Sequence, residues 1–133
     1  MPILNPPSVQ IITSDLERRR QDISAGLLAP GEIALLGLEA GISAFFRLEC
    51  VNLLRLRLYT SESARLADLN RPIATRSRAG RGLLLEVVST ESLRDFDLSP
   101  VAWNTNPGGV FAAVTNLESA SASPTFSIEY WEF

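Results

Sequence analysis

Asp95 and Asp97 stand two residues apart, so on an extended strand both carboxylates fall on one face. Paired carboxyl groups flanking a sugar cleft are the machinery of glycoside hydrolysis. They are the one catalytic arrangement that the composition leaves open. The chain has no His, no Lys and a single cysteine, Cys50. Without His there is no imidazole base, and neither a Ser-His-Asp nor a Cys-His arrangement can be built. Without Lys there is no P-loop and no Schiff base. One Cys with no His excludes zinc sites of the Cys/His kind. The nucleophile elbow Gly-x-Ser-x-Gly does not occur. Oxygen-only calcium binding near Asp95 and Asp97 lacks the loop spacing of a calcium motif. Surface acids are the norm, so the two aspartates read as a solvated strand face. The expectation is a protein that is not an enzyme, with no catalytic, cofactor-binding or metal-ligating residue.

Binding chemistry has more candidates. Trp103, Tyr130 and Trp131 would make a sugar-stacking platform if the fold gathered them, because aromatic faces suit the apolar faces of sugars. Nothing in the sequence places the three together, and Trp and Tyr are ordinary core and interface anchors. Core or interface is therefore the preferred reading. All 12 basic residues are Arg, and the net charge is −3. Arg keeps its charge and makes planar, bidentate contacts to carboxylates. Arg18-Arg19-Arg20 and the group Arg76, Arg78 and Arg81 are basic enough to touch nucleic acid. An acidic chain without aromatic interleaving at those places argues against it. They read as a solvated face or as ion pairs to a neighbouring subunit.

The elements that would position these residues are mostly strands. Leu54, Leu56 and Leu58 alternate with Arg55, Arg57 and Tyr59, the clearest period of two in the chain, and predict a half-buried strand. Ile33–Leu38 and Ile42–Leu48 precede it as strands. Residues 60–69 predict one short helix, with Ser61 or Ser63 as its cap and Leu66 and Leu69 on one face. Arg76, Arg78 and Arg81 then lie in a polar loop over 73–82. Strands follow at 83–88, at 93–98 up to a stop at Ser99-Pro100, at 110–117 and at 126–131. Six or seven short strands and one helix predict a mostly β fold, an antiparallel β-sandwich or jelly roll.

Residues 1–30 differ in texture. They hold Pro2, Pro6, Pro7 and Pro30, a short apolar patch and a charged stretch from Asp15 to Asp22. They predict an extended N-terminal arm, with 31–133 as the β-sandwich domain. Such an arm has little core of its own and becomes ordered on a partner. Its candidate interface residues are Ile3, Leu4, Val9, Ile11, Ile12, Arg18, Arg19 and Arg20. No apolar run reaches the roughly 18–20 residues that span a bilayer. Met1-Pro2-Ile3-Leu4-Asn5 lacks the basic start of a signal peptide, so synthesis in the cytoplasm is expected. Cys50 sits in an apolar pattern and reads as a small core hydrophobe.

Five segments recur in a telling order. They are Leu54–Thr60, then Ala64-Arg65-Leu66-Ala67-Asp68 with Arg71-Pro72-Ile73, then Gly82–Val88, Leu98-Ser99-Pro100 and Val114-Thr115-Asn116-Leu117, before an aromatic-capped last strand. In this order they resemble a small β-sandwich module encoded among structural genes of tailed phages and prophages, including cyanophages. The resemblance covers roughly residues 31–133. Ile73-Ala74-Thr75 departs from the family's Gly-containing turn, and the loop after it is unusually rich in Arg. The resemblance implies a bacteriophage virion structural protein, a tail fibre or baseplate component made in the host cytoplasm. It implies association with itself, a trimer favoured, and with other virion proteins, and it carries no catalytic residue. A capsid cement or decoration protein is the alternative, and a carbohydrate-binding module meeting a host surface glycan is a further one. Neither nucleic acid nor membrane insertion is expected.

Overall fold

A computed structural model describes residues 17–77 and 81–133, with Ser99, Pro100 and Val101 described in the backbone alone. Among these residues, eight strands and one helix follow in chain order: β1 (Glu17–Ser24), β2 (Ile33–Leu38), β3 (Ser43–Cys50), β4 (Leu54–Tyr59), α1 (Glu62–Asp68), β5 (Leu83–Val88), β6 (Asp95–Asn104), β7 (Val110–Asn116) and β8 (Thr125–Glu132). They form two four-stranded sheets, ordered β1-β8-β3-β6 and β2-β7-β4-β5. Every pairing is antiparallel. β1 pairs with β8, β2 with β7, β3 with β6 and β4 with β5. This is one long hairpin of four nested pairs, rolled so that successive pairs alternate between sheets. Of the two expected architectures, that strand order defines the jelly roll.

The core lies between the sheets. Phe45, Leu48, Phe126, Ile128 and Tyr130 meet Leu54, Leu56, Leu58, Val110, Ala112 and Val114, all buried. Phe45 and Leu48 are three apart, which a strict period of two would send to opposite faces. A bulge between Phe45 and Arg47 absorbs the extra residue and returns Leu48 and Cys50 to the core. Cys50 is buried and free, as its apolar setting implied. Burial pushes its thiol up to about 11.

Asparagines at strand ends pin the loops. Asn104 Nδ2 donates to the carbonyls of Gly41 and Asn106, and Asn106 Nδ2 donates to the carbonyl of Thr60. Asn116 Nδ2 does the same for Leu28 and Ala120 at the other end of the sandwich. Buried loop carbonyls need partners, and these amides supply them.

Three expectations change. The sandwich begins before residue 31, because Glu17–Ser24 pairs along its whole length with β8 as an edge strand. A strand at a sheet edge needs few apolar side chains, so its charges masked it. Ser99-Pro100 does not end the strand, since β6 runs on to Asn104. β6 is also an edge strand, where a residue without an N–H leaves no ladder bond unmade. β4 is not half-buried: all six of its residues are buried, because α1 and the chain after it cover the arginine face.

Candidate functional site

Two surfaces carry chemistry, one on the outer face of each sheet. On the first sheet, Trp103 of β6 and Trp131 of β8 both lie opposite Ala44 of β3. The two indoles thus flank a single methyl group, with one strand between them. Phe133 stacks on Trp103 at 5.4 Å and 25°, and Phe46 packs against Trp131 at 5.7 Å. Arg18 lies over the Phe46 ring at 5.4 Å, a cation–π contact at the border of the group. Trp103 is 53% exposed, Trp131 37% and Phe133 56%. At 150–250 Å² per aromatic side chain, the open surface comes to roughly 300 Å², the scale of a functional patch on a monomer.

Ion pairs rim the patch. Arg18 pairs with Glu129 at 2.9 Å, Arg19 with Glu132 at 3.5 Å and Arg47 with Asp95 at 3.0 Å. Arg18, Arg19 and Arg20 therefore sit in β1 and spend their charge on carboxylates of the same sheet. Tyr130 is not part of the platform. Adjacent strand residues point to opposite faces, so Tyr130 turns into the core against Phe45 and takes a hydrogen bond from Gln21. Asp95 and Asp97 are both exposed near the start of β6. The Arg47 hydrogen bonds hold the Asp95 carboxyl below the usual range, the opposite of what a general acid needs. Ile3, Leu4, Val9, Ile11 and Ile12 lie outside the described residues.

On the second sheet, α1 and the residues after it form a lid over Arg55, Arg57 and Tyr59. Ser61 caps α1 by accepting from the Ala64 N–H. No residue of α1 is buried, so apolar packing does not hold it down. Charged and polar side chains do. Arg57 donates to the carbonyls of Asp68 and Leu69 at the helix end, where the helix dipole favours a cation. Arg65 reaches the carbonyls of Leu36 and Ala112. Tyr59 Oη donates to Asp68 at 2.6 Å, and Arg71 forks onto the same carboxylate at 2.7 and 3.0 Å. Arg71 also meets Glu86 at 2.7 Å, and Glu86 takes Arg55 at 2.7 Å.

The network sets the ionisation of its members. The Arg71 hydrogen bonds pull Asp68 below its ordinary value, against the effect of burial. Burial, then the hydrogen bond to Asp68, pushes the Tyr59 phenol up to about 12. Burial lowers Arg57, which is fully buried. Among the described residues, Nε and Nη2 of Arg57 and Nη2 of Arg55 have no hydrogen-bond partner. Two members of the aromatic patch, Phe46 and Phe133, and the whole lid network lie outside the sequence reading. The Arg-Leu alternation leading straight into a helix was the available signal for the lid.

What these features define is an eight-stranded jelly roll with one aromatic outer face and one face closed by a polar lid. No family model matches the chain, and no curated protein or solved structure does.

Proposed function

We propose that the protein is a structural, non-catalytic component of a bacteriophage virion. In this reading it is a tail fibre or baseplate jelly roll that associates with copies of itself through the aromatic face. The observation that carries this is the gathering of Trp103, Trp131, Phe46 and Phe133 on one open sheet face. A rim that alternates Arg18, Arg19 and Arg47 with Glu129, Glu132 and Asp95 offers both signs of charge to a symmetry mate. The jelly roll is an architecture of viral capsid and lectin domains, which supports the reading by analogy of fold. The resemblance over residues 31–133 supplies the phage context. The N-terminal segment would anchor the assembly on the particle.

Light scattering on the purified chain tests this, with three proteins compared: full length, a truncation lacking residues 1–16, and Trp103→Ser/Trp131→Ser. The expected result is an oligomer that survives the truncation and falls to monomer in the double variant. An unchanged mass in the double variant would remove the aromatic face from the assembly.

The Ala44 floor between the two indoles favours a second reading, in which the face holds a sugar ring. Quenching of tryptophan fluorescence by host surface oligosaccharide, lost in the same double variant while the full-length chain stays monomeric, would select it.

A further inference from the structure

Charge is distributed unevenly along this chain. From Arg55 to Glu86 it carries seven arginines and three carboxylates, a net +4, while the remainder carries five arginines and twelve carboxylates, a net −7. The described arginines of this stretch gather on the lid and its surroundings on the second sheet. Two of the three carboxylates there are already committed. Asp68 accepts from Tyr59 and twice from Arg71, and Glu86 accepts from Arg55 and Arg71. Among the described residues, Arg76 and Arg81 have no carboxylate within ion-pair distance.

Those two arginines face a cavity of about 320 Å³ between α1 and the chain that follows it. Ala64 and Ala67 form its α1 side, and their small side chains leave the space open. Asp68, whose carboxylate is taken by Tyr59 and Arg71, completes that side, and Arg71, Thr75, Arg76, Ser77 and Arg81 form the rest of its wall. Gly82 sets the position of Arg81. Its φ is +83°, and a Cβ there would stand 2.7 Å from the Ala64 Cβ, so only glycine lets the start of β5 come this close to α1. Behind the wall, the buried guanidinium groups of Arg55 and Arg57 add positive potential from a region of low dielectric, with three nitrogens unpartnered among the described residues.

We propose that this cavity is an oxyanion-binding site, taking a phosphate or sulfate group that is free or carried on a body the size of one sugar ring. Guanidinium forks match the paired oxygens of such groups, and the Ser77 hydroxyl adds a donor. The volume sits at the lower end for small-ligand pockets, larger than one ion requires and small for a dinucleotide.

The test is a titration of the full-length, ¹⁵N-labelled protein with inorganic phosphate, at ionic strength held constant with chloride. Saturable amide shifts are expected at Ala67, Arg76, Ser77 and Arg81. Arg76→Gln/Arg81→Gln should weaken binding about tenfold or more, the loss expected for two charge-assisted contacts. Both residues are exposed, and an otherwise superimposable spectrum shows that the variant folds. Arg94→Gln is the control and should bind as the parent does. Glucose 6-phosphate distinguishes the sources: tighter binding than phosphate assigns the sugar-borne group, and equal binding assigns the free ion. Shifts that do not saturate, that spread equally to Arg18–Arg20, or that persist in the double variant overturn the proposal.

Discussion

Replacing Asp68 with Asn should loosen the lid and destabilise the fold measurably. The carboxylate accepts three hydrogen bonds from two buried partners, Tyr59 and Arg71. Asn keeps one acceptor oxygen but turns an –NH₂ toward groups that are themselves donors. With the negative charge gone, Arg55, Arg57 and Arg71 share only Glu86. Breaking a buried ion pair costs about 3–5 kcal/mol. The Asp68 side chain is 14% exposed, so water partly replaces what is lost. One acceptor also survives, which brings the expected loss to about 2–3 kcal/mol. With about 2.1 cal/mol/K of unfolding entropy per residue, the melting temperature falls by roughly 7–11 °C. Urea unfolding should be followed by tryptophan fluorescence, which reports the first sheet, and by tyrosine absorbance, which includes Tyr59 under the lid. A loss below about 0.5 kcal/mol on both probes would refute the reasoning, because that is the value of a solvated surface pair. The acid limb gives a second reading of the same group. The folded state holds Asp68 below the unfolded value of 3.8, so its stabilisation is complete above that pH and disappears as pH falls through the lower folded value. The Asn variant should lack this part of the acid transition.

Two further substitutions and reactions probe other contacts. Gly82→Ala combines a left-handed backbone with a Cβ 2.7 Å from Ala64, and should cost about 2–4 kcal/mol in urea unfolding. Adding Ala64→Gly should recover part of that loss, and no recovery would mean the clash is elsewhere. Cys50 should resist iodoacetamide at pH 8 in the folded protein and react at once in denaturant, since its thiol is buried and held up at about 11. The folded state favours the protonated thiol, so that stabilisation is present below the unfolded value of 9.0 and is lost as pH rises toward 11. Rapid alkylation without unfolding would show that the β3 end opens locally.

The fold class was legible because its signal is local. The alternation Leu54, Leu56, Leu58 fixes a strand, and Ser61 before a short run without breakers fixes a helix. Both follow from backbone geometry within a few residues. The edge strands of the first sheet were harder, since neither β1 nor the second half of β6 needs an apolar alternation to pair. The platform was half legible. Trp103 and Trp131 meet across β3, a fact of register that no local pattern contains. The exclusion of Tyr130, by contrast, was available from period two, because neighbours in a strand cannot share a face. Phe46 reaches the patch beside a bulge, and Phe133 only through its stacking on Trp103.

The arginine face of β4 was misread for a different reason, and that reason bears on function. An arginine row on a strand reads as solvent-facing when it is taken alone. Here the following helix supplies its own C-terminal carbonyls and Asp68 to that row, so the polar face becomes an interior one. The compensation is incomplete among the described residues, where guanidinium N–H groups of Arg55 and Arg57 stay unpartnered. A hydrophobic lid over hydrophobic strands would have been simpler and at least as stable. A lid held by charge is instead sensitive to ions, and its surplus is positive on a molecule that is otherwise acidic. The two outer faces of the sandwich are thus specialised in opposite senses. One presents aromatic rings with its charges paired, and the other covers its own arginine row and leaves further arginines at a cavity mouth. If the proposed association uses the aromatic face, the arginine face stays free for a second contact, and the aromatic and arginine variants should fail independently of each other.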